Sequence, residues 1–136
     1  MIAVPARHPL LVHKHIPLDE ALRYPLVLCH PEACEGFFQQ IEQLLCTVDA
    51  QPVVADRVTT LDLMLTLVAA GYGLGFASAS QIAVCRHPEV VVRPLAERTL
   101  VLTTYLLHTD VEPSEQLSRF IVRVSSVETS EQHGST

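Results

Sequence analysis

The segment Thr59-Thr60-Leu61-Asp62-Leu63-Met64-Leu65-Thr66-Leu67-Val68-Ala69-Ala70-Gly71-Tyr72-Gly73-Leu74-Gly75-Phe76 constrains the fold more than any other stretch of the chain. It reads as one capped helix feeding a buried strand. Thr59 and Asp62 have capping-box spacing, in which a side-chain oxygen accepts from an otherwise unpaired N–H at the helix start. Val58 and Leu63 stand where a hydrophobic staple would close. Leu61, Met64, Leu65 and Val68 fall on one helical face. Gly71 is placed to end the helix in the left-handed conformation. Tyr72-Gly73 turns the chain, and Leu74-Gly75-Phe76-Ala77 is a short apolar run suited to the interior of a sheet.

The same alternation extends through most of the chain. Ile2 to Val4 reads as the end of a strand, and residues 5–14, with two prolines, as a connection. Pro17-Leu18-Asp19-Glu20-Ala21-Leu22 suggests a short helix, and Leu26-Val27-Leu28-Cys29 a buried strand. His30-Pro31-Glu32 is a loop opening a helix over residues 34–46, where Phe37, Phe38, Ile41, Leu44 and Leu45 keep helical spacing. Val53-Val54-Ala55 is a second strand. Ser78 and Gln81 repeat the capping-box spacing ahead of a short helix through Val84. Val90-Val91-Val92 and residues 100–107 read as strands. Residues 110–113 open a last helix with Leu117, Phe120, Ile121 and Val124 on one face. The expected fold is α/β: a doubly wound, largely parallel sheet flanked by helices, with right-handed crossovers. One domain spans residues 1–124, and residues 125–136 form a polar tail that frays.

Length and composition bound the function. At 136 residues and 49% apolar, the chain suits one domain with a real core. A formal charge of −6 and no cluster of basic residues argue against a general nucleic-acid surface. No apolar run is long enough to span a membrane, and the first residues lack the order of a signal peptide. Four cysteines without dense spacing suit a reducing compartment, so a cytoplasmic protein is expected.

Each chemical motif has a plainer alternative. Cys29, His30 and Cys34 are close in sequence, but no second ligand pair follows at zinc-site spacing, so no metal is expected. Cys34 stands near a helix N-terminus, where the dipole lowers a thiol pKa. Its candidate partner Cys46 is separated from it by roughly 18 Å of helix, too far for a disulfide. No Gly-x-Ser-x-Gly elbow occurs, and the Gly71, Gly73, Gly75 series runs from helix to strand, unlike a phosphate-binding loop. Neither an enzyme nor a cofactor is expected. Three loops remain that join a strand end to a helix start: residues 29–34, 57–60 and 77–80. In a parallel sheet such loops share one edge, where free N–H groups favour a carboxylate or another small polar ligand. Capped helices alone explain the same residues, and the residues by themselves leave both explanations open.

Several landmarks taken together resemble the effector-binding region of LysR-type transcriptional regulators. They are Val4-Pro5-Ala6-Arg7-His8-Pro9-Leu10, Ile16-Pro17-Leu18-Asp19-Glu20-Ala21-Leu22, Tyr24-Pro25-Leu26-Val27-Leu28 and, above all, Leu67-Val68-Ala69-Ala70-Gly71-Tyr72-Gly73-Leu74-Gly75-Phe76-Ala77-Ser78. Their order and spacing cover residues 4–119. The resemblance implies a sensor similar to periplasmic binding proteins, with a small-molecule effector in a cleft between two subdomains. The chain looks like the second subdomain with its crossover strands, without the DNA-binding helix-turn-helix and the start of the first subdomain. This region itself is then not expected to bind DNA, and exposure of the last helix favours self-association. Carried over by position, the cleft contacts are His30, Pro31, Cys34, Thr59, Thr60, Phe76 and Ala77. The alternative is a thiol-based redox sensor or small redox protein using Cys34, which lies near the reactive cysteine of peroxide-sensing members. Those members have a second cysteine soon after it, and here the next is Cys46.

Overall fold

The computed structural model describes residues 1–48, 51–97, 105, 107, 109 and 111–131. The chain divides into two compact units, Met1–Thr103 and Thr104–Thr136. The first unit holds strands β1 (Ile2–Pro5), β2 (Leu26–Cys29), β3 (Val54–Val58), β4 (Leu74–Phe76) and β5 (Val90–Arg93). Between them run a 3-10 turn (Pro9–Val12) and helices α1 (Leu18–Ala21), α2 (Glu35–Leu45), α3 (Leu61–Ala69) and α4 (Ala79–Val84). The second unit holds α5 (Glu115–Glu131). The strand expected over residues 100–107 falls almost wholly on residues outside those described. The helix α5 continues through Ser125 to Glu131, where residue polarity alone points to a frayed tail.

The five strands form one sheet in the order β3-β2-β4-β1-β5. β2 runs parallel to both β3 and β4, whereas β1 is antiparallel to β4 and β5. The sheet is therefore mixed rather than largely parallel. Strand–helix–strand crossovers through α2 and α3 set the direction of β2, β3 and β4. The chain before β2 has only the 3-10 turn and one short helix, so no crossover dictates how β1 runs. It enters at the edge where β4 ends, with Ile2 opposite Phe76.

Alternation along the strands builds a core on each face of the sheet. Ile2, Val4, Leu26, Leu28, Leu74 and Phe76 point to one face, where they pack with Ile41 and Leu44 of α2 and with Leu10, Ile16 and Leu18. Ala3, Val27 and Val58 point to the other and meet Met64, Leu65 and Val68 of α3. Full burial of each such aliphatic side chain contributes about 1.5–3 kcal/mol. The edge strand β3 is exposed from Val54 to Arg57 and buries only Val58. At α1 no local side chain caps the helix; instead the distant Glu97 carboxylate accepts from the Leu18 N–H at 2.8 Å. Gly71 takes φ +82° and closes α3, as its position after the helix requires.

The 3-10 turn carries a titratable cap. The Leu10 N–H donates to His8 Nδ1 at 3.3 Å, which needs a lone pair there and places any proton on Nε2. The His8 ring meets Tyr24 edge-on, with centroids 4.5 Å apart. Burial holds the His8 pKa below its ordinary value of 6.5. A group whose pKa is lowered by folding stabilises above its unfolded pKa, and that contribution is lost as pH falls through the folded value. The melting temperature is therefore expected to drop between pH 7.5 and pH 5. The drop should shrink in His8→Ala, as thermal unfolding of both proteins at each pH would show.

Candidate functional site

Because β2, β3 and β4 are parallel neighbours, the loops that follow them leave from the same edge of the sheet. The loop after β2 is tied to the end of β3 by the His30 N–H, which donates to the Val58 carbonyl at 2.7 Å. His30 Nδ1 accepts from the Glu32 N–H at 3.4 Å, and the His30 carbonyl accepts from Ala33 and Cys34 at 3.0 and 3.3 Å. This turn delivers Cys34 to the N-cap of α2, with no side-chain capping bond. His30, Pro31 and Cys34 are half-buried there.

After β3, the cap of α3 is Thr60 and not Thr59. Thr60 Oγ1 accepts from the Leu63 N–H at 3.3 Å. The third helical position is then Leu63, so the box expected between Thr59 and Asp62 does not form. Two adjacent threonines offer the same capping chemistry, and spacing to Asp62 favours the wrong one. Thr59 is exposed and precedes the cap. The two hydroxyls thus have separable roles. Thr60→Val is expected to cost about 1 kcal/mol of stability, the usual cost of losing a cap. Thr59→Val should change stability by less than about 0.5 kcal/mol. Urea unfolding of the two variants tests this order.

After β4, Ser78 caps α4 with a full box. Gln81 N–H donates to Ser78 Oγ at 3.2 Å, and Ser78 N–H donates to Gln81 Oε1 at 2.9 Å. Phe76 and Ala77 are both buried. Phe76 lines a small space of about 10 Å³ with Leu28, Cys29, Phe37, Phe38 and Ile41. That volume is smaller than a ligand needs, so the Phe76 side chain supports the edge from beneath. The Ala77 N–H donates to the Met1 carbonyl at 3.1 Å and joins β1 to the same edge.

Two basic residues stand near this edge. Arg57, on β3, holds its guanidinium carbon 5.2 Å from the centre of the Phe38 ring on α2, a stacking that orients it. Arg93 ends β5 in a row with Ile2 and Phe76 across the sheet. Arg57 opens the 57–60 loop that the sequence already marks, whereas only strand pairing brings Arg93 to the edge, and pairing across the sheet leaves no local sequence signal.

Burial, with the Cys34 thiol beside it, pushes Cys29 up to about 11. Cys34 and Cys46 cap opposite ends of α2. All four cysteines are free. Among the described residues, no three His, Cys, Asp or Glu side chains converge as metal ligands.

The family model described as LysR substrate binding domain matches residues 1–126. No curated protein matches significantly. Among solved structures, the chain is similar to the BenM effector binding domain with its effector benzoate, at 20% identity and a TM-score of 0.71 over 100% of this chain and 62% of that one. It is similar to the effector binding domain of QuiR in complex with shikimate, at 22% identity and a TM-score of 0.60 over 73% of this chain and 46% of that one. A third is HinK, a LysR family transcriptional regulator from Pseudomonas aeruginosa, at 18% identity and a TM-score of 0.56 over 71% of this chain and 33% of that one. The chain thus spans from one third to less than two thirds of these structures' lengths. At such identities the likeness is one of fold.

Proposed function

The chain belongs to the LysR substrate-binding domain family, and from that premise we propose that it senses a small-molecule effector for a transcriptional regulator. The observation that carries the reading is the shared edge at which β2, β3 and β4 end in helix starts. Free N–H groups and positive dipole ends meet at such an edge and favour an anion. The ligands in the BenM and QuiR structures, benzoate and shikimate, are carboxylates, and a carboxylate is the class proposed here. His30, Pro31, Cys34, Thr59 and Thr60 form the contact rim, with Phe76 and Ala77 as its floor. The protein binds and does not turn over its ligand. DNA binding, in this reading, belongs to another part of the regulator. No helix of the described residues is long and apolar enough to cross a membrane, and a cytoplasmic regulator is proposed.

Self-association is part of the same proposal. Within the second unit, α5 exposes Leu117 at 36%, Phe120 at 52% and Val124 at 36% on the face they share with Ile121, and such a patch favours contact between copies. Sedimentation at high concentration should give a dimer or larger species; a clean monomer would remove this element.

Thermal unfolding with added benzoate or shikimate tests the function. At ten times its dissociation constant, a ligand specific for the folded state adds about 1.4 kcal/mol. Stabilisation without chemical change in the ligand is expected. Conversion of the ligand to a product would contradict the reading, as would failure of every small carboxylate to stabilise.

A further inference from the structure

We propose that the outer edge of β5 is a docking site for an extended acidic peptide, which adds to the sheet as a further strand. β5 stands last in the strand order and pairs with β1 alone among the named strands. The Ala6 N–H donates to the Glu89 carbonyl at 2.9 Å. Hydrogen-bonded pairs alternate in an antiparallel ladder, so Val91 and Arg93 turn their backbone groups to β1. Val90 and Val92 turn theirs outward. The Val90 N–H is already taken by the His87 carbonyl at 3.1 Å. The Val92 N–H and carbonyl have no partner among the described residues. Just beyond β5, Ile16 pairs with Leu95 in a one-residue parallel bridge. The chain's own segment thus pairs with the continuation of this strand, and none of the described residues pairs with the outer edge of β5.

This edge has a shaped wall. All four β5 residues border a groove of about 320 Å³, also lined by Leu65 and Ile82, which cluster with Val90 and Val92 on one face of the sheet. Arg86 borders it as well, and neither Arg86 nor Arg93 is in an ion pair among the described residues. Glu89 is close in sequence but does not border the groove. Four strand residues span roughly 13 Å at about 3.3 Å each, room for a short peptide strand. Backbone pairing supplies affinity in this mode, and alternate side chains supply specificity. Apolar residues would pack on Leu65 and Ile82, and acidic ones would pair with the arginines. A second copy of the chain is disfavoured, because pairing two β5 edges brings the arginines of both copies together.

The test is an NMR titration of the isotopically labelled chain with two peptides of alternating sequence, one of glutamate and valine, the other of lysine and valine. The acidic peptide should shift the amides of β5 and bind at least tenfold more tightly than the basic one. The double variant Arg86→Glu, Arg93→Glu should reverse that preference. Val92→Pro removes the outward donor while sparing the bonds to β1, and proline is tolerated at such an edge position. It should abolish binding. An acidic peptide N-methylated on its pairing side should also fail, and this holds whether or not Val92→Pro folds. Equal binding of both peptides, binding that survives N-methylation, or shifts remote from β5 would overturn the proposal. So would occupation of the groove by benzoate with no peptide bound, or by a second copy of the chain.

Discussion

Gly73→Ala is expected to leave little or no folded protein. A Cβ at Gly73 would lie 2.5 Å from the Pro25 oxygen, 2.9 Å from the Pro25 carbon and 3.3 Å from the Leu26 nitrogen. All three are backbone atoms at the start of β2, so no side chain can swing aside. The same Pro25 oxygen accepts from the Leu74 N–H at 2.8 Å, and relieving the clash would pull β4 from β2. A loss above about 3 kcal/mol is expected, against a typical total of roughly 5–15 kcal/mol. Gly75→Ala makes an instructive comparison. There the added carbon would meet Met64 Sδ at 2.7 Å, the flexible part of a side chain that can repack. Its cost should be smaller, about 1–3 kcal/mol. At Gly36 in α2 nothing lies within 4 Å, so alanine should stabilise by up to about 1 kcal/mol. Urea unfolding of the three variants gives the ordering directly. A Gly73→Ala protein as stable as Gly36→Ala would mean that β2 and β4 do not approach as described.

Ala3→Asp is expected to be equally damaging, for an electrostatic reason. β1 lies between β4 and β5, and Ala3 faces Gly75 on one side and Val92 on the other. It is fully buried among Met64, Leu65 and Val68. A carboxylate placed there has no partner and must either stay charged in an apolar site or take up a proton. The cost should exceed about 4 kcal/mol, with loss of dispersed amide resonances. Val12→Asp, at a residue 82% exposed, should change stability by less than about 0.5 kcal/mol. Cooperative unfolding of Ala3→Asp near the wild-type midpoint would remove β1 from its place between β4 and β5.

Local patterns carried much of the fold. The run Leu26 to Cys29 coincides with β2, since four consecutive apolar residues fit a strand buried on both faces. Ser78 and Gln81 form their box, and Gly71 adopts its positive φ, because both depend only on residues a few positions apart. Non-local features were harder to read. The 3-10 turn at Pro9–Val12 rests on a histidine cap and on Pro9 at its first position, in a stretch that otherwise reads as a loop. β3 runs to Val58, well past its apolar start, because an edge strand tolerates Asp56 and Arg57. The antiparallel course of β1 and the arrival of Arg93 in the row of Ile2 and Phe76 follow from strand pairing across the sheet, which no local spacing encodes. The residues proposed as the rim were legible only as types, small and polar at three strand ends. Which threonine caps α3 was not.

The account stands or falls on where a small carboxylate touches the protein. Backbone amide shifts recorded while benzoate or shikimate is titrated into the labelled chain report this residue by residue. The expected result is saturable change at His30, Cys34, Thr59 and Thr60, weakened in Thr59→Val without loss of fold. Saturable change confined to β5, α5 or any face away from the ends of β2, β3 and β4 would contradict it.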